Sequence, residues 1–106
     1  MTELPRSELR ALIRDVPDFP KPGISFKDIT PLLLNPAAFH TVIKLLAREV
    51  AALKIDRVVS IESRGFIFGS ALAYELGAGL VIVRKPKKLP YQTTKINYAL
   101  EYGSDT

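Results

Sequence analysis

The residues with the clearest capacity for chemistry form a short polar run, Glu62-Ser63-Arg64-Gly65, between two apolar segments. The segment before it, 57–61, has the pattern of a buried strand, and the segment after it, 65–76, that of a helix. Ligands bind at the carboxyl ends of parallel strands, and the N–H groups at a helix start attract phosphate. The run therefore predicts a phosphate-binding loop in which Arg64 adds a forked positive charge. A plain strand-to-helix turn with Arg64 on the surface is the alternative.

A second candidate is a basic segment, residues 84–95, which carries five basic and no acidic side chains. The whole chain has a net charge of +4, so its excess positive charge is confined to this segment. An apolar, strand-like run at 80–83 precedes the segment and places it at the ligand end of the same sheet. A bound polyphosphate would offset the repulsion between these cations. A solvated loop is the alternative.

A third candidate is Glu101, in a run from 96 to 102 that alternates apolar and polar residues. Period-two alternation predicts a half-buried strand with Glu101 on its more polar face. This strand and the run at 80–83 enclose the basic segment, which predicts a flap. Glu101 has the chemistry of a general acid or base, or of a group that stabilises a cation, although strand glutamates are more often inert.

Residues 17–31 contain four prolines and a glycine, which exclude a regular helix. We predict a stiff loop of specific shape, because proline lowers the entropy cost of holding one conformation. The loop either shapes a ligand site or is a connector that packs Phe19, Ile24 and Phe26 onto the core.

The elements that position these segments follow an α/β pattern. A short helix capped by Ser7 is predicted to stop near Asp15, and a longer helix to run from Asn35-Pro36 to about Lys54. A strand, a helix and a second strand then make a βαβ unit with parallel, buried strands and a right-handed crossover. Two or three strands form a marginal parallel sheet, so we expect this chain to be part of a larger α/β domain.

Composition excludes several classes of protein. The chain has 106 residues, the size of about one domain, and its 47% hydrophobic content is that of a globular protein. It has no cysteine, which excludes disulfides, thiolate metal sites and a thiol nucleophile. No apolar stretch is long enough to span a bilayer, and the N-terminus lacks a secretory signal pattern. We therefore expect a soluble, cytoplasmic protein without a membrane partner.

Taken together, the motifs resemble the N-terminal part of the adenine phosphoribosyltransferases, a family of type I phosphoribosyltransferases. The motifs that carry the resemblance are PDFPKPGI at 17–24, FKDITP at 26–31, ESRGFIFG at 62–69, RK at 84–85, KLP at 88–90 and YALEYG at 98–103. The resemblance implies a parallel sheet flanked by helices, incomplete in this chain, with an N-terminal hood and a flexible β-hairpin loop. Residues 1–34 would form the hood and N-terminal helix, residues 35–106 the partial core with the flexible loop, and the protein a homodimer.

The resemblance also implies a reaction, in which adenine and 5-phosphoribosyl-1-pyrophosphate (PRPP) give AMP and pyrophosphate in purine salvage. This is a glycosyltransferase reaction. Magnesium would be bound through PRPP and pyrophosphate, with no metal ligand from the protein. By this resemblance, Ser25, Phe26 and Lys27 would bind adenine, with backbone contacts at Ser25 and Lys27 and stacking by Phe26. The positions that match PRPP and pyrophosphate binding are Ser63, Arg64, Arg84, Lys85 and Lys88. Tyr91 would lie in the flexible loop, and Glu101 would be the catalytic glutamate. The family also implies a cis peptide bond between Glu62 and Ser63.

The family's Thr-Gly-Gly-Thr loop, which cradles the 5-phosphate, is not in this sequence, so we expect the 106-residue chain alone to be inactive. A noncatalytic nucleotide-binding fragment, or a regulatory relative with the same fold, is the alternative. A third possibility is a small RNA-binding module that uses residues 84–98, although one short basic segment is less than such a surface usually needs.

Overall fold

The structure is a computed structural model that describes residues 2–84, 98–100 and 103–105. The chain folds as two compact units, Met1–Arg48 and Glu49–Thr106. Within the described residues, no helix has both the length and the apolar character needed to cross a membrane.

The first unit opens with helix α1 (Arg6–Ala11), whose first turn follows Pro5 directly. The Pro5 carbonyl accepts hydrogen bonds from the N–H groups of Glu8 and Leu9, at 3.0 and 3.2 Å. Ser7 lies inside the helix and makes no cap, so the prediction of a Ser7 cap is wrong. Proline precedes the helix readily because its lack of an N–H costs nothing there.

A β-hairpin replaces much of the predicted irregular loop. Strand β1 (Arg14–Pro17) pairs antiparallel with β2 (Ser25–Asp28), with Val16 opposite Phe26. The expectation that residues 17–31 form a loop throughout is therefore wrong for β2. The prolines are compatible with the hairpin because Pro17 ends its strand and the next two lie in the connection, where no ladder hydrogen bond is lost.

Two further helices follow, α2 (Thr30–Leu34) and α3 (Pro36–Glu49). The start of α3 is confirmed, because Asn35 Oδ1 accepts a 3.0 Å hydrogen bond from the Ala38 N–H. The helix ends five residues before the predicted Lys54. Leu53 is 63% exposed, so little packing is gained by extending the helix through it.

The core of the first unit is small and comes from its three helices. The buried apolar residues are Leu9, Leu32, Ala38 and Ile43. Thr41 is 1% exposed, and its hydroxyl has two partners. Its Oγ1 donates to the Ala37 carbonyl at 2.7 Å and accepts from the Leu4 N–H at 3.0 Å, so the burial leaves the hydroxyl satisfied.

The second unit contains the predicted βαβ arrangement. Strands β3 (Arg57–Ile61) and β4 (Gly79–Val83) are parallel neighbours, and α4 (Arg64–Leu76) connects them and packs on both. The helix ends at Gly77, whose φ of 69° is the left-handed conformation that glycine adopts without steric cost.

The two parallel strands are less buried than their composition predicts. Val59 is 63% exposed, and three consecutive residues of β4, Leu80 to Ile82, are each at least 40% exposed. A sheet needs cover on both faces, and α4 supplies cover on one of them. The prediction of two buried strands is wrong for this chain, whereas the expectation of an incomplete sheet is confirmed.

Strand β5 (Tyr98–Leu100) pairs antiparallel with β6 (Gly103–Asp105). The predicted flap joins 96–102 to 80–83, but in the described residues β5 pairs with β6 instead.

Candidate functional site

The residues matched to adenine binding lie together on β2. Ser25 and Lys27 are exposed, whereas Phe26 between them is half-buried, as expected for successive residues that point to opposite faces of a strand. Among the described strands β2 pairs with β1 alone, so no strand lies along its other edge, where main-chain groups can bind a ligand. This arrangement can offer backbone groups to the polar edge of a heterocycle.

A second ring accompanies Phe26. The Phe19 ring lies edge-on to it, with 5.2 Å between ring centroids and 76° between planes. Phe19 is 50% exposed, and the turn that carries it is held by Asp18, whose Oδ1 accepts a 3.0 Å hydrogen bond from the Gly23 N–H. An edge-to-face pair of this kind fixes the plane of Phe26, which a flat ligand would stack on. Sequence reasoning assigned Phe19 only to packing.

The carboxylate of Asp28 organises the end of the hairpin. Its Oδ1 accepts from the Thr30 N–H at 2.9 Å and the Thr30 hydroxyl at 2.8 Å. Its Oδ2 accepts from Arg14 Nε at 3.0 Å and Nη2 at 2.5 Å. The Thr30 N–H, then the Arg14 guanidinium, lower the pKa of Asp28 from 3.8 to about 2. Sequence reasoning missed this role, although aspartate commonly accepts a hydrogen bond from the backbone N–H two residues on.

We expect Asp28→Asn to lower the melting temperature of the chain at neutral pH more than Asp15→Asn does. Asp15 and Lys27 form an exposed ion pair across the same hairpin, and such pairs stabilise little. Because the pKa of Asp28 is depressed on folding, its contribution is complete above its ordinary value of 3.8 and is lost as the pH falls towards about 2. Thermal unfolding across this range measures both effects. This role would be contradicted if the two variants lost equal amounts of melting temperature. It would also be contradicted if the melting temperature of Asp28→Asn fell below pH 3.8 as steeply as that of the unchanged chain.

A cleft of about 410 Å³ opens beside Lys27 in the same unit. Its lining includes Arg10, Ile13, Asp15, Lys27 and Ile29. The ion pair with Asp15 holds the Lys27 side chain across the hairpin, so its ammonium group is already partnered.

The polar run in the second unit lies where the sequence predicts, between the end of β3 and the start of α4. The Glu62–Ser63 peptide bond is cis, which confirms that expectation. The Glu62 N–H donates to the Val83 carbonyl at 3.0 Å, and the Phe66 N–H donates to the Ser63 carbonyl at 3.1 Å. Ser63 and Arg64 are exposed, and the Ser63 side chain makes no capping bond. The loop thus places two exposed polar side chains, Ser63 and Arg64, at the start of α4.

Arg84 follows β4 at the same sheet edge, since Ile61 is the register partner of Val83. Arg84 is half-buried, and its buried Nε has no hydrogen-bond partner within the described part of the chain. The structure therefore brings Ser63, Arg64 and Arg84 to one edge. The other predicted site residues, Lys85, Lys88, Tyr91 and Glu101, lie outside the described residues.

Comparison with known proteins gives one consistent result. No family model matches the chain. The adenine phosphoribosyltransferase of Geotalea uraniireducens is 59% identical over 99 residues, which are 93% of this chain and 58% of that protein. Among solved structures, adenine phosphoribosyltransferase from Thermoanaerobacter pseudethanolicus has 52% identity and a TM-score of 0.86, covering 93% of this chain and 58% of that one. The Giardia lamblia enzyme in complex with 9-deazaadenine has 41% identity and a TM-score of 0.91, covering 96% and 56%. The chain spans a little over half the length of these relatives.

Proposed function

The chain matches the N-terminal part of adenine phosphoribosyltransferases in sequence and in fold, and from this match we propose that the protein makes AMP and pyrophosphate from adenine and PRPP. The observation that carries the proposal is the 59% identity to a protein of that name over 93% of this chain. It favours the enzyme over a noncatalytic relative. The proposed role of this chain is to supply the base-binding strand and the pyrophosphate-binding loop.

We infer that β2 recognises adenine through main-chain groups. Adenine presents a hydrogen-bond donor and an acceptor on one edge, and the open edge of a strand offers the complementary pair. Phe26 would stack on the flat face of the base, with Phe19 holding its ring plane. The Giardia lamblia relative binds 9-deazaadenine, which supports an adenine-like ligand for the matching chain.

We infer that the loop at the start of α4 binds the pyrophosphate group. Backbone N–H groups at a helix start and the guanidinium of Arg64 are strong donors to phosphate oxygens. Arg84 adds a cation at the same edge of the sheet, and Lys85 and Lys88 follow it in the sequence. These groups would stabilise the negative charge that develops as pyrophosphate leaves.

We propose that magnesium arrives with PRPP. The loop fits this, because N–H groups and a guanidinium have only donors, which bind phosphate oxygens and not a cation. Magnesium keeps several waters and takes phosphate oxygens readily, and it would supply charge neutralisation on the departing pyrophosphate. Within the described residues there is no group of three or more His, Cys, Asp or Glu side chains arranged to hold a metal.

In the proposed reaction, the bond between the anomeric carbon and pyrophosphate breaks, and a ring nitrogen of adenine bonds to that carbon and loses its proton. The transition state carries positive charge on the ribose, by analogy with glycoside chemistry. Glu101 would steady this cation or assist the proton transfer at the base, and Tyr91 would lie in the loop that covers the substrates. Both roles rest on the resemblance of this segment to the family.

Further properties of the family, and their consequences for this chain, complete the proposal. The protein would act in the cytoplasm, in purine salvage, and as a homodimer. Residues 1–34 would function as the hood and N-terminal helix and residues 35–106 as the partial core. The 106-residue chain alone would be inactive, because it lacks the Thr-Gly-Gly-Thr loop that cradles the 5-phosphate.

A chimera tests the proposed activity. It consists of this chain followed by the part of the Geotalea uraniireducens adenine phosphoribosyltransferase beyond the matched region. We expect the chimera to form AMP and pyrophosphate in equal amounts from adenine, PRPP and magnesium, and the 106-residue chain to form neither. Product formation is followed by chromatography, with hypoxanthine in place of adenine as the control. A folded chimera that forms no AMP, or that uses both bases equally, would contradict the proposal.

A further inference from the structure

Helix α4 approaches strand β3 most closely where Gly69 meets Ser60. A Cβ atom added to Gly69 would lie 1.6 Å from Ser60 Oγ and 2.8 Å from Ser60 Cβ. Rotation of the Ser60 side chain would relieve the contact with Oγ but not the contact with Cβ, which is fixed to the strand backbone. A larger residue at position 69 therefore requires the helix or the strand to shift. Ser60 is 3% exposed, and its hydroxyl has no hydrogen-bond partner within the described residues.

The other glycine of this region behaves differently. A Cβ added to Gly65, at the start of α4, would lie 3.6 Å from the nearest atom, which is an ordinary contact. The packing distance between helix and strand is therefore fixed by Gly69 and not by the glycine of the loop itself. Ser60 and Gly69 also flank the loop in the sequence, three residues before Ser63 and five after Arg64.

We propose that Gly69 and Ser60 are positioning residues, which hold the Ser63–Gly65 backbone in place by setting the distance between α4 and β3. The inference rests on the proposed function, in which this backbone binds pyrophosphate. A helix moves as a nearly rigid body, so separating α4 from β3 at Gly69 shifts the N–H groups at its start. Hydrogen bonds to phosphate weaken steeply with such displacement.

Three variants of the 106-residue chain, labelled with ¹⁵N, test the proposal by the amide chemical shifts of residues 63–65. Gly69→Ala introduces the clash. Combining it with Ser60→Gly removes the two atoms that the new Cβ would clash with and leaves only the ordinary 3.7 Å contact with Val58. Ala73→Gly is the matched control, because Ala73 is 4% exposed in the same helix and its loss weakens the helix without pushing it outward. We expect the shifts of 63–65 to change in Gly69→Ala, to return in the double variant and to stay in place in Ala73→Gly.

Adding inorganic pyrophosphate to the same samples tests whether the contact between Gly69 and Ser60 affects the binding of pyrophosphate. We expect the concentration that half-saturates the shift of 63–65 to rise about tenfold or more in Gly69→Ala and to return in the double variant. Should Gly69→Ala fail to fold, recovery of the native spectrum in the double variant supports the contact, and no recovery overturns it. Movement of 63–65 in Ala73→Gly equal to that in Gly69→Ala also overturns the inference. A further outcome is that the wild-type amides of residues 63–65 show no response to pyrophosphate although the variants change their shifts as expected. In that case the assignment of pyrophosphate to this loop fails, and the positioning role of Gly69 and Ser60 stands.

Discussion

Replacing Arg64 with alanine is expected to lower kcat/KM of the chimera for PRPP by about 10- to 100-fold. A hydrogen bond to a charged partner contributes about 1.5–3 kcal/mol, which corresponds to that range of rates. Arg64 begins α4 and is exposed beside the helix-start N–H groups, so its loss removes a phosphate donor without leaving a cavity. The KM for adenine should change little, since the base is assigned to other residues. Steady-state kinetics with each substrate varied in turn measures both constants.

Two further variants make the Arg64 prediction specific. Arg64→Lys keeps the charge and loses the fork of donors, so we expect an intermediate effect. Arg57→Ala removes an exposed arginine from the opposite end of β3, where its guanidinium contacts the Asp56 carbonyl at 3.0 Å, and should leave the kinetics unchanged. An Arg64→Ala chimera as active as the parent, or an Arg57→Ala chimera equally impaired, would remove Arg64 from the site.

Replacing Glu101 with glutamine is expected to lower kcat of the chimera by at least about 100-fold, the usual contribution of a general acid or base. Glutamine keeps the size of the side chain and removes its charge and its ability to take a proton. We expect the loss to fall on kcat more than on the KM of either substrate, because the carboxylate acts on charge that develops in the transition state.

The control for Glu101 is Glu75→Gln, an exposed glutamate on α4. It changes the net charge of the protein equally and should leave kcat unchanged. A Glu101→Gln chimera that keeps the parent rate, or a loss confined to the KM for PRPP, would assign Glu101 to binding or to no role.

Elements stabilised by local signals were predictable from the sequence. The start of α3 follows from an asparagine cap and a proline in the first turn, and the Asn35 cap is present. The bounds of β3 match the prediction, and α4 ends at the expected glycine. In each case the information lies within a few residues of the element, so no distant contact is needed to decide it.

The errors occur where non-local pairing or packing decides the structure. Strands β1 and β2 are four residues each and rich in polar side chains, and they form because they pair with each other. The four bonds to Asp28 join three elements and cannot be seen from any one of them. The contact between Gly69 and Ser60 likewise depends on how closely a helix packs on a strand. The exposed faces of β3 and β4 follow from the small number of elements available to cover them.

The site was predictable mainly through the family resemblance, because the residues alone left a phosphate loop and an ordinary turn both open. The structure places Ser63, Arg64 and Arg84 at one edge of a parallel pair of strands, as the strand–helix–strand pattern of the sequence predicts. It also adds Phe19 as a partner of Phe26, which spacing along a proline-rich segment does not indicate.

The central claim is that this chain binds the base through β2 and pyrophosphate through the loop at the start of α4. A crystal structure of the chimera with AMP and pyrophosphate tests it most directly. We expect the adenine ring to lie against Phe26 with its polar edge on the backbone of Ser25 and Lys27, and the pyrophosphate to accept hydrogen bonds from Arg64 and the N–H groups beside it. Well-occupied ligands that contact neither β2 nor this loop would contradict the claim.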